Sequence, residues 1–532
     1  MAGLTIEQAL QTAIAQQQAG QIAAAEAIYR QILTVQPNHA DALHLLGTAA
    51  LVSARYDQAL DLIGRAIAVA VPNAMYESNL GETYRRLGRF DEAIVHLRRA
   101  VALQPDFADA WNNLGSSLAL KGECDEAIAC CQRALALKPN FAEAYGNLGV
   151  AYLGKGWRDE AIACNKRALA LRPDSAELLN NLAAAFVESG DYGKALEFCE
   201  RALAVSPDFA PAHWARSHML LRLCRFEEGW REYEWRWRCP PLSAYRRRFA
   251  VPQWDGTSLP GQTLLAHAEQ GYGDAIQLLR YVPLLRQRAG GGRIILECGR
   301  PLVRLIASAV GPDIAVFPRE TWDGNELPRF DRHIPWLSLP LTLGSFEPVR
   351  MAERYLHANP ELGATWRQRL GASGPLRVGL AWTGNPNYQW DHYRSIAPEK
   401  FLPLLRLPGI HFYSLQVQTR NGTPKPLLDA GLIDLTAQIT DFADTAALVA
   451  ELDLIISTDG VTVHLGGALG RPVWALLPFV PDWRWGLERE DSPWYPSVRL
   501  FRQSAIGDWN SVLRRVEQAC AKAATAIPER RH

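Results

Sequence analysis

The chain has 532 residues, too many for one ordinary core, so two to four domains are expected. An apolar share of 48% with a charged share of 21% excludes a disordered chain and fits a globular one. Lys plus Arg equals Asp plus Glu, 56 each, which excludes a global positive field that would gather nucleic acid.

The opening segment MAGLTIEQALQTAIAQQQAG lacks a basic stretch leading into an apolar core, and the sequence holds no run of 18 apolar residues. The expectation is a cytoplasmic protein with no signal peptide and no transmembrane segment. The nine cysteines are odd in number, and most fall in or beside the repeat helices. This pattern points to buried thiols in a reducing compartment rather than to disulfides, with no metal site.

Over residues 1–209 the sequence repeats every 34 residues. Gly47, Gly81, Gly115 and Gly149 share one slot, with Ala183 next. Ala59, Ala93, Ala127, Ala161 and Ala195 share a second, and Ala66, Ala100, Ala134, Ala168 and Ala202 a third. Pro37, Pro105, Pro139, Pro173 and Pro207 close the units, with Pro72 one residue late. Several independent positions on one period predict six stacked helix pairs, an all-α superhelix. Small residues let the helix axes approach, and proline ends each second helix. Asn79, Asn112, Asn113, Asn147, Asn180 and Asn181 fall on or beside one slot of the inner helices. An amide both donates and accepts, so such a row suits a peptide backbone. It equally suits loop capping or solvent.

Residues 210–260 read as a degenerate seventh, capping unit followed by a linker rich in arginine, proline and aromatics. The periodicity then changes. Segments 261–350 and 375–532, joined by 351–374, each alternate apolar strands with amphipathic helices. This predicts an α/β region of two Rossmann-like lobes with parallel sheets.

Ligands of such sheets bind beyond the carboxyl ends of strands, and three loops qualify. The first is EQGYGDA, where Asp274 opens a helix as a cap, as a general base, or as both. The helix field is expected to lower its pKa. The second, after LRVGLAW, carries Thr383, Gly384 and Asn385, then His392 and Arg394, with Ser395 expected to cap the next helix. The third is STDGVTVHLGGALG, where Asp459, Gly460, Thr462 and His464 are placed to cradle phosphate. Trp382, Trp390, Trp483, Trp485, Trp494 and Tyr495 either stack on a ligand or pack the core and cleft wall.

HAEQGYGDAIQLLRYVPLL, LAWTGNPNYQWDHYRSI, LIISTDGVTVHLGGALGRPVWALLPF and PDWRWGLEREDSPWYP resemble the glycosyltransferase domain of bacterial tetratricopeptide-repeat proteins. That domain is similar to the ADP-heptose lipopolysaccharide heptosyltransferases. The WNNLG and YGNLG repeats resemble the tetratricopeptide family, and the whole is similar in architecture to protein O-linked N-acetylglucosamine transferases.

The resemblance implies a metal-independent GT-B transferase with no cofactor. It would move sugar from a nucleotide-diphosphate donor to a hydroxyl of a protein or glycan held by the repeats, and homo-oligomers are among the assemblies allowed. Asp274 would be the base. Thr383, Arg394, Asp459 and His464 would shape the donor site, and the asparagines would clamp peptide. One departure carries the competing expectation: Gly460 and Val461 follow Asp459 where the heptosyltransferase pattern has Thr-Gly. On that reading the chain is a noncatalytic repeat scaffold with a degenerate transferase fold.

Overall fold

The computed structural model describes residues 5–239, 242–319, 328–348, 354–371, 374–384, 391–417 and 422–525. The chain divides into two compact units, Met1–Ala215 and Arg216–His532. Among the described residues no helix is long and apolar enough to cross a membrane.

The first unit is an array of antiparallel helix pairs: Ile6–Gln18 with Ile22–Val35, Ala40–Val52 with Tyr56–Val69, and Ala74–Arg86 with Phe90–Leu103. Ala108–Lys121 with Cys124–Leu137, Ala142–Gly154 with Arg158–Leu171, and Ala176–Glu188 with Tyr192–Val205 follow. Ala210–Arg222 and Phe226–Tyr233 repeat the pattern a seventh time, and the boundary between the units falls inside the first of these helices.

The periodic small residues sit where helices touch. A Cβ at Gly47 would lie 2.5 Å from Ile63 Cγ1, and one at Gly115 would lie 2.6 Å from Cys131 Sγ. Ala59, Ala93, Ala127, Ala161 and Ala195 are fully buried. The first helices of successive pairs pack on one another, and the second helices do not do so to a comparable extent. The first helices therefore line the inner, concave side of the array. Side-chain oxygens of Thr5, Asn73, Ser175 and Asp191 cap helix starts and satisfy amides that lack an intrahelical partner.

The second unit holds two parallel sheets. One contains β1 (Thr263–His267), β2 (Arg293–Cys298), β3 (Ala315–Pro318) and β4 (Arg332–Pro335) in the order β3-β2-β1-β4. The other contains β5 (Leu376–Ala381), β6 (Ile410–Ser414), β7 (Leu454–Thr458), β8 (Val473–Leu477) and β9 (Val498–Arg502) in the order β6-β5-β7-β8-β9. Every residue of β5 and β7 is buried, as expected of central parallel strands with both faces covered. Leu376, Val378, Leu380, Trp382, Phe412, Ile456 and Phe501 form the centre of that core.

The segment EKFLPLLRL, which reads in sequence as one helix, is a 3-10 turn, Pro398–Phe401, followed by the short helix Leu402–Leu405, because Pro398 and Pro403 remove backbone donors. Ser395 does not cap it. Ala397 stands at the cap position, and Ser395 Oγ donates to Asp391 Oδ2 at 2.6 Å.

Candidate functional site

On the concave side, the less buried face of each first helix recurs at four positions per repeat. In the fourth repeat these are Asp109, Asn113, Ser116 and Leu120, at helical spacing. Asn79, Asn113, Asn147 and Asn181 hold one of these positions in four consecutive repeats, each half-buried. Asn112 and Asn180 stand beside this column.

The amides also join neighbouring repeats. Asn147 Nδ2 donates to Asn112 Oδ1 at 2.8 Å, and Asn79 Nδ2 lies 2.8 Å from His44 Nε2. His44 is stacked on Tyr76 at 4.2 Å, and burial pushes its pKa down to about 4 despite the opposing charge of Asp41.

In the α/β unit, β5 and β7 are neighbours and β6 lies on the far side of β5, so the strand order reverses beside β5. The second and third loops therefore leave the sheet side by side, at the point where open sheets form a crevice. Groups of the chain itself bond to one another there. Gln416 Oε1 accepts from the amides of Trp382 and Thr383, both at 3.1 Å. Thr383 Oγ1 donates to the Gly384 carbonyl, and Arg394 Nε is held by Asp391 Oδ1 at 2.7 Å.

The helix Tyr272–Leu278 packs on the helix Val461–Ala468, with Gly273 against the His464 ring. Asp274 accepts from the Gly271 amide at 2.9 Å and is ion-paired with Arg484. Arg484 also donates to Gln277 Oε1 at 2.5 Å and to Asp482 Oδ1 at 2.9 Å.

Burial dominates the electrostatics here. It raises the Asp274 pKa above the ordinary aspartate value against the pull of Arg484, so the lowering expected from the helix field does not prevail. Burial and the Asp482 carboxylate push Asp459 up to about 6. Burial would also raise Asp482, but Arg484 outweighs it and holds that carboxyl low. Burial and Arg484 push His464 down to about 3, so the ring is neutral, with Nδ1 2.8 Å from the Tyr495 hydroxyl.

Asp274, Arg394, Asp459 and His464 thus share one electrostatic neighbourhood. Gly460 stands at the N-cap of the Val461–Ala468 helix, and Thr462 lies in its first turn. Trp382 is a core residue. Trp483 meets Trp230 edge-on at 5.3 Å, and Trp485 stacks on His464 at 5.5 Å. Asn385, Trp390 and the His392 side chain lie outside the described residues.

The residues missed from the sequence are the ones that close the cluster: Gln416, Gln277, Asp482 and Arg484. The alternation of Asp482 and Arg484 with Trp483 and Trp485 in PDWRWG was the available signal. Two further carboxylates are also paired with arginines, and these two are buried. Glu269 is paired with the fully buried Arg236 at 3.0 Å, and Glu297 with Arg247.

Family models described as Tetratricopeptide repeat match residues 16–78, 78–142 and 140–208. The chain is 31% identical over 335 residues to Protein FlbA of Caulobacter vibrioides (strain ATCC 19089 / CIP 103742 / CB 15), covering 58% of this chain and 55% of FlbA. It thus spans about half the length of that relative. The match is longer than the repeat array and so extends into the α/β unit.

Among solved structures, the crystal structure of MamA is 30% identical with a TM-score of 0.28, covering 30% of this chain and 94% of that chain. The crystal structure of PilW, a widely conserved type IV pilus biogenesis factor, is 21% identical with a TM-score of 0.35, covering 39% and 96%.

These comparisons correct the transferase expectation. The relative that reaches into the α/β unit is FlbA, and the matched family models are repeat models. The assignments to the heptosyltransferases and to the O-linked N-acetylglucosamine transferases are overturned. Residues 16–208 form a tetratricopeptide-repeat superhelix, and the second unit is an α/β body with two parallel sheets.

Proposed function

We propose that this chain is a noncatalytic scaffold whose repeats hold an extended protein segment along their concave side. The observation that carries this reading is the column Asn79, Asn113, Asn147 and Asn181, one amide per repeat on the open face of the inner helices. Amides at a fixed period match an extended backbone, which offers donors and acceptors at regular intervals whatever its side chains.

The α/β unit supports the same reading by a different route. Its loop carboxylates are neutralised by arginines of the same chain, Asp274 by Arg484 and Glu269 by Arg236. Both Asp274 oxygens already accept from groups of the chain, the Gly271 amide and the Arg484 guanidinium. We place the protein in the cytosol, in keeping with nine cysteines none of which is bridged.

The test compares proteins captured from cell lysate by the full chain, by an Asn113→Ala/Asn181→Ala variant and by an Asp459→Asn/Arg394→Ala variant, quantified by mass spectrometry. The reading expects capture to fall in the first variant and to persist in the second. Capture that depends on Asp459 and Arg394 but not on the asparagines would refute it.

A further inference from the structure

Residues 246–253 cross one face of the first sheet as an extended strap. Along it Arg246, Arg248 and Ala250 are exposed, while Arg247, Phe249 and Val251 are half-buried, the alternation of an extended chain lying on a surface. One end joins the edge strand β4 through the backbone. The His333 amide donates to the Pro252 carbonyl at 3.4 Å, and the Trp254 amide donates to the His333 carbonyl at 2.8 Å. The buried Trp254 ring anchors that end. Further back, side chains reach the sheet. Arg247 donates to both oxygens of Glu297, on β2, at 2.5 and 2.7 Å. The Phe249 ring lies 4.4 Å from the His333 ring and 5.3 Å from that of His267.

The surface beneath is polar. His267 stands in register with Glu297, and His333 with Leu265, two residues before His267, so the three share one face of the sheet. His267 Nε2 lies 3.2 Å from His333 Nδ1, so one imidazole donates to the other. His267 Nδ1 is buried without a partner, and Glu297 is fully buried. A cover laid on apolar groups gains by burying them. This one takes a carboxylate and two imidazoles out of water, one of them incompletely bonded, and a buried ion pair returns little beyond that cost.

We propose that residues 246–251 are a hinged cover that lifts from the sheet while the rest of the α/β unit stays folded, and that proton uptake by the His267–His333 pair opens it. The β4 pairing at Pro252 and Trp254 is the hinge. The charged groups around the pair are Arg246 and Arg247 on the strap, Arg236 before it, Arg319 after β3, and Glu297, whose carboxylate Arg247 already holds. Burial first, and then these arginines, keep both rings neutral, His333 down to about 4 and His267 well below its ordinary value. A proton on either ring sets a cation beside Arg247, and lifting the strap removes both the burial and that arginine. The closed form keeps its full advantage above about pH 6.5 and loses it as pH falls toward 4. Opening bares Glu297 and His267 at the carboxyl ends of β2 and β1, where ligands of open parallel sheets bind, so the strap gates that face.

The experiment treats the full chain with diethyl pyrocarbonate at about pH 7.5 and about pH 5.5 and follows acylation of His267 by mass spectrometry. Rates are normalised to N-acetylhistidine at the same pH, and amide exchange of β5 in parallel reports unfolding of the unit. The proposal expects the normalised rate at His267 to rise about tenfold or more between the two pH values while β5 stays protected. The rise should shrink in His333→Asn. Glu297→Gln, which releases Arg247, should speed acylation at both pH values. A normalised rate that is the same at both, that matches β5 exchange, or that Glu297→Gln leaves unchanged would overturn the proposal.

Discussion

Between the two helices of each repeat, one residue turns the chain with positive φ. It is Gly20, Gly88, Gly122, Gly156 and Gly190 in five repeats, but Ala54 (φ 57°) and Cys224 (φ 58°) in the other two. The left-handed region brings Cβ close to the carbonyl, which costs a non-glycine residue about 1–2 kcal/mol. Ala54→Gly and Cys224→Gly are each expected to stabilise the protein by about 0.5–1 kcal/mol once the extra freedom of glycine in the unfolded chain is subtracted, read as a higher urea midpoint.

A second residue-scale expectation concerns Arg236, whose guanidinium is fully buried and shared by Glu234, Glu269 and the Ser338 hydroxyl. Arg236→Met leaves Glu269 buried and unpaired. It should cost about 3–5 kcal/mol in denaturant unfolding, most of it recovered by adding Glu269→Gln. The identity of Glu269's partner was not legible in the sequence. The two residues are 33 apart, and only the fold brings the end of the seventh helix pair onto the first glycine loop.

At the scale of elements, periodic small residues carried nearly all the information. Gly149 abuts the buried Asn165, and a Cβ there would overlap the amide. Gly149→Ala is expected to destabilise the array by about 1–3 kcal/mol in thermal or urea unfolding, and Asn165→Ala in the same chain should relieve it. The 34-residue period made the helix pairs readable because each unit repeats one packing problem.

The strands that escaped notice are β4, RHIP, and β9, VRLFR. Both lie at sheet edges, where short length and half-polar sequence give little apolar run to detect. The loops after β1, β5 and β7 were located in sequence, but Gln416 and Arg484, which bond to groups of those loops and of the helix after β1, lie far from them in the chain and only the fold brings them there.

At the scale of the whole molecule, buried ionisable groups set the pH response. His44 and His333 are held down to about 4 and His464 to about 3, each mainly by burial. For a base held below its unfolded value the stabilisation is complete above about pH 6.5 and is lost as pH falls toward the folded value. Glu269, which burial pushes up to about 7, acts in the opposite sense. Its contribution is complete below the unfolded glutamate value and is lost as pH rises through 7. The chain should therefore lose stability below about pH 6.5, followed by urea unfolding at stepped pH. Glu269→Gln should remove the opposing decline between about pH 4.5 and 7, and His44→Gln should weaken the acid decline.

The central claim is that the α/β unit is a filled structural body and that the repeats do the binding. Isothermal titration of the full chain with ADP, GDP, UDP and their sugar conjugates, with and without magnesium, tests it most directly. The account predicts no saturable heat from any of them, with peptide binding through the repeats intact in the same sample. Saturable binding of one nucleotide that disappears in a folded Asp459→Asn/Arg394→Ala variant would contradict it.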